Sequence, residues 1–195
     1  MKLALNCSFL NTQFERDMEY AMSVLADLVT RTLQTAGPAT AATSATVAAC
    51  GSFEGGNAVA PVNAVSHIVW GDEAAEQEEA SLKYTLSGAT LNAAAIASWA
   101  AIYELGFGRR ARQGNVRAAI VGGAVTAALA YVTDYYVVPK RLTPGFEKRL
   151  SSPPMFAVYV ALAASLPLAS LMAGRRSTPS SNSMARRSND YHTVA

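Results

Sequence analysis

Two stretches of this chain have no polar side: Val116–Val138 (VRAAIVGGAVTAALAYVTDYYVV) and Met155–Ala173 (MFAVYVALAASLPLASLMA). The first holds one basic residue at its start and one acid, Asp134, near its end; the second holds no charge at all. A helix of a soluble bundle repeats polar residues on one face at a period of 3.6, and neither stretch does so. Apolar character all round requires burial in lipid or in a very large core, and 195 residues cannot build the latter. Each run is also long enough to cross a hydrocarbon layer of about 30 Å, which takes about 20 residues.

Composition agrees. The chain is 51% apolar and only 15% charged, against about 25% charged in an average soluble domain. Mean hydropathy is just +0.16 because alanine supplies much of the apolar count. Two weaker runs complete a set of four spans. Residues 84–107 carry only Glu104 as a charge, although Asn92 and several hydroxyls lower their hydropathy. Residues 36–53 are uncharged but made largely of alanine and threonine, so they span only if partner helices cover them. The expectation is an all-α integral membrane four-helix bundle, with spans at 36–53, 84–107, 116–138 and 155–173.

Small residues recur at four-residue spacing within the spans: Ala119, Gly123 and Ala127, beside Gly122, Thr126 and Ala130, and again Ala157, Ala161, Ser165 and Ala169. Lipid tails are as apolar as leucine, so helices associate in membranes by close backbone approach, which such rows permit. Pro167 is expected to kink the last span or to free a carbonyl near Ala163.

Ahead of the spans, residues 1–35 form an amphipathic segment in which Met18, Met22, Leu25, Leu28, Val29 and Leu33 recur at helical spacing. This helix is expected at the membrane surface or packed under the bundle. The opening apolar run stops at Asn6, short of a signal-peptide core, and Cys7 is not expected to be acylated. Residues 174–195, rich in serine, arginine and asparagine, read as a disordered basic tail.

Charge sets the orientation. With four spans, eleven basic residues fall on the side of the termini and five on the other, which places both termini in the cytoplasm. The third loop, PKRLTPGFEKRL, runs against this rule with four basic residues on the far side. The first loop, residues 54–83, holds six of the fourteen acids. Within it Ala58–Trp70 is apolar but too short to span, and reads as a re-entrant or interfacial helix ending at Trp70. Gly71 and Asp72 then turn the chain, Asp72 capping the next, short acidic helix.

Ionisable groups within spans are candidate sites because they are expensive there. Asp134 falls near the outer surface with Glu54, Asn63 and His67, and Asn63 and His67 share a helix face. This outer cluster can pass protons or bind a cation through one imidazole and two carboxylates, or it can be a set of hydrogen bonds that ties a re-entrant segment down. Asn92 and Glu104 are secondary polar positions inside the bundle, and Glu104 lies within reach of Arg109, Arg110 and Arg112. No nucleophile elbow, P-loop, zinc-protease or dinucleotide pattern occurs. No enzyme, metal centre or cofactor is expected, and the arginine pairs beside the spans give no reason to expect nucleic acid.

Three stretches carry a resemblance: APVNAVSHIVWGDEA at 60–74, TLNAAAIASWAAIYE at 90–104 and DYYVVPKRLTPGFEKRL at 134–150. Together they resemble an uncharacterised family of small alanine-rich polytopic inner-membrane proteins of proteobacteria, over about residues 36–173. The resemblance implies a bacterial inner-membrane location and four spans, and it transfers no activity. The functional expectation is a non-enzymatic accessory or scaffold component, whose partners are the lipid bilayer and either a second copy or another membrane protein. The rival is a small transporter or channel subunit in which Glu54, His67 and Asp134 handle a proton or cation.

Overall fold

The computed structural model describes residues 2–177 of the chain, with side chains over 12–174. Every element among them is helical and none is a strand. Helix α1 is one unbroken run, Lys2–Gly55. Two short helices come next, α2 (Ala60–Val65) and α3 (His67–Trp70), and then a 3₁₀ turn at Asp72–Glu76. Helices α4 (Ser87–Tyr103) and α5 (Arg109–Arg112) belong to one longer rod, because wide π turns at Leu82–Leu86 and Glu104–Gly108 join them with helical backbone throughout. Helix α6 (Val116–Val132) passes into a third π turn at Thr133–Val137, and α7 is Ser152–Ser177.

The long runs alternate in direction. Glu54 at the end of α1 bonds Ser151 at the entry to α7, and Trp70 at the end of α3 bonds Ser87 at the start of α4. At the opposite end Thr35 of α1 bonds Glu104, and Gly174 of α7 packs on the Arg112 carbonyl. Helix α7 lies between α1 and α6, while α4 packs on α1 and, less extensively, on α6. The core between them holds Ile96, Ala100 and Tyr103 of α4, Ala127 and Ala130 of α6, and Leu162 and Leu166 of α7.

Two helices are long and apolar enough to cross a membrane, Val116–Val137 and Ser152–Gly174. They match the expected runs at 116–138 and 155–173 closely. All six small residues of the α6 rows are buried, whereas Ile120, Val121, Val125 and Leu129 face outward. On α7 the centre is taken by Val158, Leu162 and Leu166 with Ser165, and Ala157, Ala161 and Ala169 are only half-buried. Larger side chains fill the middle of the bundle, and the alanines of the small row lie along its edge. The expected runs at 36–53 and 84–107 are helical but fall short of that apolarity, as expected where alanine, threonine and asparagine replace leucine and valine.

The amino-terminal expectation needs correction. No junction divides residues 1–35 from the run at 36–53: α1 passes through Gly37 and Pro38 as one helix of 54 residues, about 80 Å at 1.5 Å each. The outer part neither folds back nor packs under the bundle. Met18, Met22, Leu25 and Val29 are all about half exposed or more, in helical phase with Ala36, Ala39, Thr43 and Val47, which are buried against the bundle. Pro38 deprives the Gln34 carbonyl of its helical donor, yet burial of Thr35, Ala36 and Ala39 on either side holds the rod together. Of the tail expected over 174–195, the first four residues are the last turn of α7; the remainder lies outside the described residues.

The loops form a cap over the end of the bundle where α1 stops. Phe146 and Leu150 of the third loop join Val47, Val65 and Val158 in a second apolar cluster beneath it. Ion pairs cross the cap: Lys148 with Asp72, Arg149 with Glu78 at 3.4 Å, and Lys83 with Glu73 at 3.1 Å. Two of the four basic residues that break the charge rule, Lys148 and Arg149, are therefore matched by acids of the first loop. Asp72 does not cap the 3₁₀ turn, as expected from sequence; Gly71 (φ +82°) occupies that position, and Lys148 draws the Asp72 carboxylate across to the other loop.

Three cap carboxyls are held below the usual carboxylate range: Asp72 by the Lys148 ammonium, Glu73 by the Tyr84 hydroxyl and then Lys83, and Glu54 by the Ser151 hydroxyl and backbone N–H. A lowered folded value means that the stabilisation is present above the unfolded value of about 3.9–4.3 and is lost as pH falls through the folded one. Hydrogen exchange over residues 56–83, corrected for intrinsic rates, is expected to quicken between pH 6 and pH 3, less so in Asp72→Asn combined with Glu54→Gln. Equal protection at both pH values would contradict this.

Candidate functional site

The four residues expected to form one outer cluster are distributed over separate tasks. Glu54 is exposed and accepts from the Ser151 backbone N–H at 2.8 Å and from its hydroxyl, so it fastens the end of α1 to the entry of α7. Asn63 is fully buried. Its amide donates to the carbonyls of Gln77 and Glu79, both at 3.0 Å, and its oxygen accepts from the Thr85 hydroxyl at 2.6 Å. It pins α2 to the descending loop and to the start of the α4 rod. Asp134 takes the Tyr159 hydroxyl at 2.8 Å, linking α6 to α7.

His67 is the exception. It is 3% exposed, and Nδ1 donates to the Ala64 carbonyl one turn back at 2.9 Å. Because a carbonyl only accepts, Nδ1 carries a proton, and in the neutral ring Nε2 is left as an acceptor. That Nε2 is buried with no hydrogen-bond partner. Gly145 (φ +85°) closes over the ring: a Cβ there would lie 2.8 Å from Nδ1 and 2.5 Å from the Ala64 carbonyl oxygen. Only glycine fits a left-handed conformation at such a close approach.

His67 and Asp134 line different cavities. Asp134 shares a narrow one of about 120 Å³ with Asn92, Trp99 and Tyr159; Asn92 is 3.4 Å from the Ser44 hydroxyl, to which it donates. His67 opens on a larger space of about 680 Å³, walled by Asp72, Tyr135, Lys140, Arg141, Glu147 and Lys148. Among the described residues no three His, Cys, Asp or Glu side chains come together in a group able to hold a metal ion, so the imidazole and two carboxylates expected as a cation site do not converge.

At the other end of the bundle Glu104 is buried, with its carboxylate accepting from Thr35 Oγ1 at 2.5 Å and from Arg112 Nη2 at 2.8 Å. The π turn beginning at Glu104 lets its carboxylate lie against Gly108, where a Cβ would strike it. Of the three arginines within sequence reach, Arg112 alone makes this pair. Tyr103 beside it shares a 2.9 Å hydrogen bond with Ser170 of α7.

Sequence reasoning missed that Glu147, Lys140 and Arg141 line the same cavity as His67. The available signal was the third loop itself, whose four basic residues stood against the charge rule. No family model matches the chain, and neither does any curated protein or solved structure.

Proposed function

We propose that the chain is a multi-pass protein of the bacterial inner membrane with four spans and both termini in the cytoplasm, acting as a non-enzymatic scaffold through helix contacts. The observation that carries this reading is where the polar groups of the spans go. A conduit needs them along one water-filled path; here Glu104 with Thr35 and Arg112, Asp134 with Tyr159, and Tyr103 with Ser170 are each consumed in a separate tie between helices. Outward-facing Ile120, Val125, Leu129, Phe156 and Leu168 suit contact with lipid. The outer part of α1 then stands on the cytoplasmic side as a rod of about 50 Å, after about 30 Å of its length has crossed the membrane. Its apolar row is the surface such a scaffold presents.

The reading is tested in cells with single cysteines at Gln13, Glu76 and Asn115 in a chain lacking Cys7 and Cys50. An impermeant maleimide is expected to label Glu76→Cys, and to reach Gln13→Cys and Asn115→Cys only after permeabilisation. Labelling of Asn115→Cys in intact cells would overturn the orientation. Proteoliposomes loaded with a pH-sensitive dye are expected to leak no faster than empty ones under a potassium diffusion potential. A protein-dependent proton flux abolished by Asp134→Asn would replace the scaffold by a conduit.

A further inference from the structure

The cavity beneath the third loop has the size of a small-solute site, which spans about 300–1,000 Å³, and its lining holds two kinds of unmet group. Two of its lining residues hold a buried acceptor without a partner, His67 at Nε2 and Glu147 at Oε2. The other carboxylate oxygen of Glu147 is occupied by the Thr143 hydroxyl. His67 itself is fixed by Ala64 and Gly145, so the lone pair cannot turn elsewhere. The lining also holds Lys140 and Arg141, both exposed on the third loop and in no ion pair among the described residues. The third cation, Lys148, is engaged by Asp72.

Neither a simple anion nor a simple amine satisfies this wall. An anion held by Lys140 and Arg141 would leave both acceptors unmet and would face the Glu147 carboxylate. An amine donating to His67 Nε2 and Glu147 Oε2 would add a further cation to a lining that already holds Lys140 and Arg141. A molecule with N–H donors at one end and an anionic group at the other meets both kinds of group, since buried polar groups require partners and charge-assisted hydrogen bonds are the stronger kind.

We propose that this cavity binds a small zwitterion through its two ends, an ammonium held by His67 and Glu147 and a carboxylate or phosphate held by Lys140 and Arg141. Two sources share this chemistry: a free amino acid, or the phosphoethanolamine headgroup of a lipid. The site does not depend on the scaffold reading, because its geometry lies wholly within the cap.

The test uses the full chain in dodecyl maltoside, titrated calorimetrically with O-phosphoethanolamine, β-alanine, ethylamine and inorganic phosphate. At least one zwitterion is expected to bind saturably, with ethylamine and phosphate each weaker by about tenfold or more, the equivalent of one charge-assisted contact. Arg141→Ala and Glu147→Gln are each expected to weaken the zwitterion about tenfold. Arg141 is exposed and unpaired, so its loss leaves the fold in place, and an unchanged circular dichroism melt verifies this.

Native mass spectrometry from nanodiscs of mixed phosphatidylethanolamine and phosphatidylcholine separates the sources. Retention of phosphatidylethanolamine, lost in both variants, assigns the lipid headgroup, because the quaternary ammonium of choline has no N–H to donate. Binding of β-alanine with no preference between the lipids assigns a soluble solute. Ethylamine or phosphate binding as tightly as the zwitterions, indifference to both substitutions, or no saturable binding by any probe overturns the proposal.

Discussion

Arg112→Ala is expected to lower the unfolding free energy by about 3–5 kcal/mol, the usual result of stripping one partner from a buried ion pair. Glu104 is 4% exposed, and its carboxylate has two side-chain donors, Thr35 at 2.5 Å and Arg112 at 2.8 Å. Removing the guanidinium leaves a negative charge in a packed interface between α1 and the α4–α5 rod, with one neutral hydroxyl to hold it. Thr35→Val removes the weaker partner and is expected to cost about 1 kcal/mol. The double variant Glu104→Met, Arg112→Met replaces the pair by apolar volume and is expected to recover most of the loss. Reversible unfolding in mixed micelles, followed by circular dichroism, measures all three. If Arg112→Ala and the double variant are equally unstable, the pair is a packing element and charge burial is not the cause.

That ion pair was legible in outline because its partners lie eight residues apart on one rod, where helical geometry limits the choices. Sequence could not choose among Arg109, Arg110 and Arg112, because the π turn at Glu104–Gly108 shifts the phase of everything after it by a residue. The separate partners of the outer residues were not legible for a related reason. Hydropathy gives the depth of Glu54, His67 and Asp134 along the bundle axis but not the angle at which each faces, and the groups that claim the two carboxylates, Ser151 and Tyr159, carry no signal of their own. The small residues of α6 were readable because a close helix crossing admits little else.

The continuity of α1 was not readable. Gly37 and Pro38 mark a local break, and only burial of their neighbours by α4 and α7 overrides it. Proline in a helix interior costs about 3 kcal/mol, a cost that sequence shows without showing what offsets it. The same limit hid the His67 cavity. Glu147 is one acid in a charged loop until Phe146 packs under the cap and sets its side chain in the wall of the cavity that His67 lines.

Gly123→Leu is expected to cost about 3 kcal/mol or more, at the upper end for overpacked interiors, because the obstacle is backbone. A Cβ at Gly123 would run into the Ala163 carbonyl oxygen and lie 3.2 Å from Pro167 Cδ. The two contacts have one origin. In an unbroken helix the Ala163 carbonyl would accept from the N–H of residue 167, and Pro167 has none. The freed oxygen faces α6, where only a glycine lets the backbone approach and offer its Cα–H as a weak donor. Gly37→Ala is the matched control: nothing lies within 4 Å of a Cβ there, so the change is expected to raise stability by up to about 1 kcal/mol through helix propensity. Pro167→Ala restores the missing N–H and draws the carbonyl back toward the α7 axis. It is therefore expected to relieve part of the Gly123→Leu penalty, making the two substitutions non-additive in a double-mutant cycle. Strict additivity would mean that the proline and the glycine are independent, and that the α6–α7 crossing is set by the small residues alone.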